Sequence, residues 1–509
     1  MNKRAIVWTG VLVALLGTSG AWYLTQRYDE KKGEATAVTS PAANSADQLK
    51  QQQEKQQASA SFAIRGVIEG GTYGASWTHE QRLSMFEFMS SNRYNTYVYA
   101  PANDPFQRVD WALPYPEEQA SKLKELIQKA KESGLRFVYS ISPGLSLSSQ
   151  SSSNSAEMKS KAINYSSEED QQKLFAKTEQ LRKLGVDTIL LSFDQAQGGL
   201  SDKDRGTYGT NYAQAHVTLA NSLLEEVRKK DSNFQLWFMP TQYYGVKENS
   251  YWVTLREQLE GSIEVIWTGP EILSKKIEAA DADKAAQLLG RKPLVWDHYP
   301  INDYTYEVEQ APKLFFGPLE HRSNDLQTHV TGLLANTMVQ LESSKPALYS
   351  IGQYLDHPAS YDPQKAYVES LSSLSGIERT ELFNKFTDYS RRSIIADDKW
   401  NPKFKALVDA GDKERLRKEF EELRDLRKNL SKAITNRQLV TEIDPWLMKL
   451  SREGELGLLA LQMLAKEQGS AERAELIEKT RVELEQLKLE PYKIGEEILA
   501  YVEQLLWKE

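Results

Sequence analysis

From residue 62 onward, short apolar runs alternate with amphipathic stretches. Strand-like runs occur at 63–68, 95–100, 136–141, 188–193, 234–239, 263–267, 293–296 and 314–316. Their apolar character is nearly continuous, which marks strands buried on both faces of a parallel sheet. Between them, Leu83, Phe86, Phe88 and Met89 form one helical face. Leu123, Leu126, Ile127 and Ala130 form a second, and Leu174, Phe175, Leu181 and Leu184 a third. Eight strands interleaved with helices over about 270 residues predict an α/β chain folded as a (β/α)8 TIM barrel. An open doubly wound sheet is the alternative, but no glycine-rich nucleotide loop follows the first strand.

Past residue 362 the strand pattern ends. Leu416, Phe420, Leu423 and Leu430 share a helical face, and leucines recur at helical spacing from Leu447 to Leu464. Two more helices come after these, one carrying Leu476, Ile477, Leu484 and Leu487, the other Ile498, Val502, Leu505 and Leu506. These predict a C-terminal helical bundle, with Asp444 and Pro445 reading as cap and first-turn proline of one helix. At the other end, residues 1–4 carry two positive charges and 5–24 carry none. About 20 uncharged residues suffice to span a bilayer, and the positive start favours an N-terminus inside. The expectation is a single-pass anchor in a bacterial cell membrane, with the bulk of the chain outside the cytoplasm. Secretion after signal-peptide cleavage is the competing reading. The stretch 33–61, rich in Ala, Ser, Gln and Lys, reads as a flexible linker. The predicted organisation is therefore an anchor at 1–28, a linker at 29–61, a barrel at 62–361 and a bundle at 362–509.

Composition then narrows the chemistry. The 509 residues contain no cysteine, which excludes disulfides, thiol nucleophiles and a lipid-modified cysteine anchor. A net charge of -8 without a basic stripe argues against nucleic acid as partner. The six histidines are scattered, so neither a metal site nor a cofactor is expected. No GxSxG elbow occurs.

The most informative stretch is DTILLSFDQ (187–195). Ile189, Leu190 and Leu191 make a buried strand that delivers Asp194 and Gln195 at its C-terminal end, where α/β barrels keep their chemistry. The other strand ends supply Gly70 and Tyr73, Asn103 and Asp104, Thr241 to Tyr244, Trp267 and Thr268, and Asp297, His298, Asn302 and Asp303. Aromatic faces stack on sugar rings while amides and acids bond hydroxyls, so this mixture predicts a carbohydrate cleft. Barrel packing is the competing role for each aromatic residue taken singly.

Several of these words resemble one family. RGVIEGGTYG (65–74), SWTHEQRLSMF (76–86), NTYVYAPANDP (95–105) and YSISPGLS (139–146) are similar to segments of glycoside hydrolase family 84. That family comprises the O-GlcNAcase and bacterial hyaluronidase-type β-N-acetylglucosaminidases. The likeness continues through IEVIWTGP (263–270), WDHYPINDY (296–304), FFGP (315–318), ANTMVQLESSKPALYS (335–350) and FNKFTDYSRRS (383–393). The resemblance implies a barrel followed by helices. It further implies removal of β-linked N-acetylglucosamine with retention, the substrate's acetamido oxygen serving as nucleophile. Two adjacent acids on the fourth strand would carry this. One orients the acetamido group, and the other protonates the leaving oxygen and later activates water.

Asp194 matches the first acid, and Gln195 stands at the general-acid position. The resemblance also implies that Tyr243 contacts the acetamido region, that Asp303 and Asn336 hold the distal hydroxyls, and that Trp267 forms a pocket wall. His298 replaces the family's asparagine, Ala102 its second-strand lysine and Gln242 a fifth-strand acid, and the loop at Gly70 and Gly71 is longer by one residue. Asp202 or Asp204 is a candidate replacement acid. Three readings are open: a divergent glycosidase acting on N-acetylglucosamine-containing glycans or glycoproteins, a non-catalytic protein that binds them, or a scaffold whose helical bundle recruits a protein partner.

Overall fold

Every one of eight strands lends an apolar side chain to a common buried plug: Ile68, Val98, Val138, Leu190, Trp237, Ile266, Leu294 and Leu334. In the computed structural model these strands pair in parallel and in chain order into a closed barrel. They are β1 (Ile64–Glu69), β2 (Thr96–Tyr99), β3 (Arg136–Ile141), β4 (Thr188–Ser192), β5 (Gln235–Met239), β6 (Glu264–Trp267), β7 (Leu294–Pro300) and β8 (Gly332–Asn336). The structure describes residues 61–70, 77–101, 103–144, 161–194, 196, 200–374, 376–378, 380–397 and 401–508. Around the strands run α1 (His79–Ser91), α2 (Glu117–Glu132), α3 (Glu168–Leu184), α4 (Asp202–Tyr208), α5 (Tyr212–Arg228), α6 (Ser250–Gln258), α7 (Ala279–Leu289), α8 (Asp303–Glu307) and α9 (Leu341–Asp356). Among the described residues no helix is long and apolar enough to cross a membrane, and the expected anchor at 5–24 and linker lie outside them.

The outward faces of the strands carry polar side chains that bind the helices. Glu69 takes both Arg82 Nε and Nη2 at 2.7 Å and accepts from the Tyr97 hydroxyl. Asp104 accepts from the Tyr99 and Tyr115 hydroxyls, and Tyr115 in turn meets Tyr139 at 2.8 Å. Burying a carboxylate is costly unless it is paired in this way. These bonds fix the ends of β1 to β3 and the turn after β2.

The eighth strand differs from the sequence expectation. Residues 314–316 are buried but form no strand: Phe315 N–H reaches Met338 Sδ and Phe316 N–H reaches the Ser390 carbonyl. Their apolar character serves the domain contact, where the Phe316 ring lies 5.7 Å from Phe383 and 5.8 Å from Phe386. The strand that closes the barrel is Gly332–Asn336. A Cβ at Gly332 would sit 2.3 Å from Ile64 Cβ, so glycine is what lets β8 approach β1.

The C-terminal part is all helical: α10 (Pro363–Ser373), α11 (Thr380–Asp388), α12 (Pro402–Ala410), α13 (Lys413–Ala433), α14 (Arg437–Ala465), α15 (Ala471–Leu489) and α16 (Glu496–Leu506). Pro445 does not start a helix. It lies inside α14, which begins instead at Asn436, whose Oδ1 accepts from Leu439 N–H at 3.1 Å. A proline in a helix interior forfeits a backbone bond, and tertiary contacts override that cost here. The adjacent Trp446 indole donates to the Pro312 carbonyl at 2.9 Å, and Asp444 pairs with Arg427.

Two glycines of α14 allow α13 to approach. A Cβ at Gly454 would lie 2.6 Å from Arg424 N and 2.8 Å from the Phe420 carbonyl, and one at Gly457 would lie 2.5 Å from the Phe420 ring. Alanine normally gains about 1 kcal/mol over glycine in a helix. Overpacking against backbone costs about 1–3 kcal/mol and outweighs that gain. Gly454→Ala is therefore expected to lower the urea midpoint, whereas Gly206→Ala, facing open space in α4, is not.

Candidate active site

Strand periodicity decides which residues reach the barrel mouth, because side chains two apart share a face. Counting outward from the plug residues, the inward positions are Gly70 after β1, Ser142 after β3, Ser192 on β4 and Asp194 after it, Trp296 and His298 on β7, and Asn336 on β8. Several contacts confirm the cluster. A Cβ on Gly70 would meet Asn336 Oδ1 at 3.0 Å and Trp296 Cζ2 at 3.5 Å. The Trp296 and His298 rings lie 5.6 Å apart, and Tyr243 packs on the same inward cluster as Trp296.

Asp194 sits just beyond β4. Ser192 Oγ donates to its Oδ1 at 2.6 Å, which fixes the carboxylate orientation. The preceding residue, Phe193, faces the helices and stacks on His216, with centroids 4.0 Å apart and planes 5° apart. His216 is held between the Tyr251 hydroxyl at 2.7 Å and the Tyr165 hydroxyl at 3.0 Å. Burial holds it neutral by pushing its pKa down to about 3. An aromatic stack and two hydroxyls thus clamp the backbone that carries Asp194.

Three groups feel the Asp194 charge. Burial, then Asp194, pushes the Tyr243 phenol up to about 12. Burial lowers His298 to about 4, opposed by the charges of Asp297 and Asp194. Burial also lowers Arg108, and Asp194 opposes that shift. Arg108 lies just past the 3-10 turn Pro105–Gln107, and its Nε donates to Gln107 Oε1 at 3.0 Å. The mouth therefore holds one anchored carboxylate, one guanidinium, a neutral imidazole and a phenol.

Five inward polar atoms are buried with no hydrogen-bond partner among the described residues: Ser142 Oγ, Trp237 Nε1, Trp296 Nε1, His298 Nδ1 and Asn336 Oδ1. Buried polar atoms are normally satisfied, so this concentration marks a surface built to bond a ligand. Among the described residues no group of three or more His, Asp or Glu side chains is placed to hold a metal.

Not every expected residue joins this cluster. Trp267 is buried in the layer between barrel and helices, and its indole donates to the Gly245 carbonyl at 2.9 Å. It offers no face to the mouth, because its neighbour Ile266 holds the inward position on β6. The inward tryptophan at the mouth is Trp296, which sequence reasoning passed over together with Arg108. Counting by twos from Leu294 would have found Trp296 and His298 and set Asp297 aside. Asp297 indeed faces outward, where Arg322 grips it at 2.7 and 2.8 Å.

Asp303 is the first residue of α8, and its Oδ1 accepts from Tyr304 N–H. The neighbouring Asn302 is fully buried. It donates to the Lys313 carbonyl at 2.8 Å and to Gln340 Oε1 at 2.9 Å, and accepts from Val339 N–H at 2.9 Å. One amide thus ties the segment after β7, which leads into Asp303, to the loop that follows Asn336 at the end of β8. Tyr243 is tethered likewise, its carbonyl accepting from Thr268 N–H at 2.9 Å. Gln242 turns away to Tyr212, with Nε2 2.8 Å from the hydroxyl.

Neither candidate replacement acid is available. Asp204 is fully buried and accepts from Ser166 N–H, Ser166 Oγ and Ser201 Oγ. Asp202 is exposed and pairs with Arg205 at 2.8 Å. Gln195 and Ala102 lie outside the described residues.

The β-N-acetylglucosaminidase pattern matches residues 65–388, and the hyaluronidase post-catalytic domain-like pattern matches 401–502. The chain belongs to the β-N-acetylglucosaminidase family, glycoside hydrolase family 84. It is 30% identical over 295 residues to the protein O-GlcNAcase of Rattus norvegicus and, equally, to that of Mus musculus. The match covers 57% of this chain and 29% of either relative's length. An O-GlcNAc hydrolase of Thermobaculum terrenum, solved as a mutant, superposes with a TM-score of 0.77 at 31% identity. That superposition covers 87% of this chain and 94% of the relative. Membership makes this a glycosidase-type barrel.

The neutral His298 gives a pH signature. The unfolded chain binds a proton at this position below about 6.5, whereas the folded protein does so only near 4. Its contribution to stability is full above about pH 6.5 and is lost as pH falls toward 4. His298→Asn is expected to flatten that limb of the unfolding free energy against pH, measured by urea titration from pH 7 to pH 4. A limb of unchanged steepness would show that other groups set it.

Proposed function

We propose that the barrel mouth binds a terminal β-linked N-acetylglucosamine and that the chain acts as a glycan-binding protein with only residual glycosidase chemistry. The observation that carries this reading is Asp194, oriented by Ser192 beside inward polar atoms that have no partner among the described residues. In the bound state Asp194 accepts from the acetamido N–H and turns the acetamido oxygen toward C1. That oxygen attacks, the bond to the leaving oxygen breaks, and an oxazoline forms that water later opens. Asp303 and Asn336, braced by Asn302, bond the far hydroxyls, while Trp296 supplies the apolar wall.

Gln195 limits the reaction. An amide donates a hydrogen bond but gives up no proton near neutral pH, and loss of general acid catalysis typically costs about 10²–10⁴ in rate. The commitment of Asp202 and Asp204 elsewhere supports the same conclusion. The uncharged run at 5–24 supports a membrane anchor that presents the barrel outside the cytoplasm to cell-envelope glycans or glycoproteins.

Two measurements test this. Calorimetry with an N-acetylglucosamine-derived oxazoline mimic should register binding to the wild-type chain and at least tenfold weaker binding to Asp194→Ala. Equal affinities would remove the pocket assignment. Hydrolysis assays should show slow cleavage of an activated aryl β-N-acetylglucosaminide, none of an alkyl glycoside, and a gain of about 10² or more on the alkyl glycoside in Gln195→Asp. Comparable wild-type rates on both substrates would mean that another group delivers the proton and that the protein is a full enzyme.

A further inference from the structure

Tyr244 follows Tyr243 on the loop after β5 and is 47% exposed. Its ring meets that of Tyr243 edge to face, with centroids 5.6 Å apart. Tyr243 itself packs on the inward cluster that holds Trp296. Tyr244 therefore lies one ring outward from the mouth, on its rim.

The backbone on both sides of Tyr244 is pinned. The Gln242 carbonyl accepts from the Trp252 indole, and the Tyr243 carbonyl from Thr268 N–H at 2.9 Å. Gly245 N–H donates to the Gly269 carbonyl at 2.9 Å, and the Gly245 carbonyl accepts from the Trp267 indole at 2.9 Å. Both tryptophans are buried, so these struts are anchored in the barrel wall. Gly245 has a φ of +104°, in the left-handed region that favours glycine, and turns the chain directly after Tyr244. A loop held in this way presents an exposed ring in one position, so a ligand that stacks on it loses little entropy in ordering the protein.

Position, shape and charge select the occupant. A flat aromatic face takes the C–H face of a pyranose ring. The step from Tyr243 to Tyr244 is close to the step from one pyranose to the next in a β-linked chain. Lys247 and Glu248, the charges nearest in sequence, have opposite signs, and Glu248 pairs with Arg256 at 3.2 Å. The rim thus favours neither an anionic nor a cationic ligand. An extended polypeptide would draw on free backbone groups, and those of Gln242, Tyr243 and Gly245 named above are already bonded.

We propose that Tyr244 is the stacking platform of an outer subsite for the sugar next to the terminal N-acetylglucosamine, so that the ligand is an oligosaccharide chain. This inference rests on the sugar pocket proposed above and deepens it. The barrel mouth holds the terminal sugar, and the rim reads what that sugar is attached to.

The test is calorimetry on the full chain with sulfur-linked ligands that resist hydrolysis. They are methyl 1-thio-β-N-acetylglucosaminide, the thio-linked analogue of N,N′-diacetylchitobiose, and an alanine-rich peptide carrying N-acetylglucosamine on a cysteine sulfur. The wild-type chain should bind the disaccharide about fivefold or more tighter than the methyl glycoside, and the peptide within about twofold of it. Tyr244→Ala and Tyr244→Gln should each bring the ratio of disaccharide to methyl-glycoside affinity to about one, whereas Tyr244→Phe, which keeps the ring, should preserve it. Because the readout is a ratio within each variant, a general loss of folded protein does not imitate it. A wild-type ratio near one, or a ratio that persists in Tyr244→Ala and Tyr244→Gln, would overturn the outer subsite and leave the sugar pocket standing. An equal gain for the peptide, lost in the same variants, would assign the platform to a polypeptide and likewise overturn the proposal. Failure of every ligand to bind the wild-type chain would remove the pocket itself, and the subsite with it.

Discussion

The two-residue period of a closed parallel barrel governs this molecule. With both faces of every strand buried, each side chain must serve either the plug or the helix layer, and a neighbour in sequence serves the other. Trp296 and His298 reach the mouth because Asp297 does not, and Asp297 can face the helices because Arg322 neutralises it there. The same arithmetic sends Asp194 inward while Phe193 stacks on His216. A one-residue slip of β4 would bury a carboxylate against the helices and expose an aromatic ring at the mouth. Register is therefore fixed by electrostatics as firmly as by apolar burial.

The helical domain is part of how the site is held. Residues 311–316, between α8 and β8, accept bonds from the bundle, with Trp446 Nε1 and Lys493 N–H both 2.9 Å from the Pro312 carbonyl. Lys313 next to it receives the Asn302 amide, and Asn302, next to Asp303, in turn holds the loop that follows Asn336. Glu442 of α14 accepts from Glu342 N–H and Ser343 N–H at the start of α9, joining the domains at a helix N-terminus where a negative charge is favoured. The loops after β7 and β8 thus rest on the bundle through Pro312, Lys313 and Asn302. Asp194, by contrast, rests on the barrel alone.

How far the sequence spoke for itself varied with the kind of signal. Apolar runs located seven of the eight strands, because a parallel strand buried on both faces leaves a dense local signal. The eighth went astray because Leu314 to Phe316 has the same composition as a strand but spends it on the domain contact, while GLLAN opens with a glycine that only the approach of Ile64 explains. Pro445 misled for a related reason, since local propensity yields to the Trp446 anchor. At the mouth, Asp194 and His298 stand at strand ends that the sequence marks, whereas Asn336 came only with the family resemblance. The exchange of Trp267 for Trp296 came from reading the last residue of a strand where facing was the quantity that mattered. Arg108 gave no signal at all, since a turn of irregular backbone and not a strand carries it.

The contrast between the surroundings of Asp194 and the residue next to it in the chain bears on the function. A carboxylate kept by Ser192, an imidazole kept neutral, and several buried donors and acceptors awaiting partners are costly to maintain in an unused barrel, where apolar residues would pack more cheaply. At the position proposed for the acid that would complete bond cleavage, the sequence carries an amide, Gln195. An amide there removes a proton donor without removing a hydrogen-bond donor, so it weakens the transition state's claim on the site more than the ground state's. Under the proposed function, such a pocket holds a sugar longer than it cuts it, which is the property a binding protein needs and a hydrolase does not.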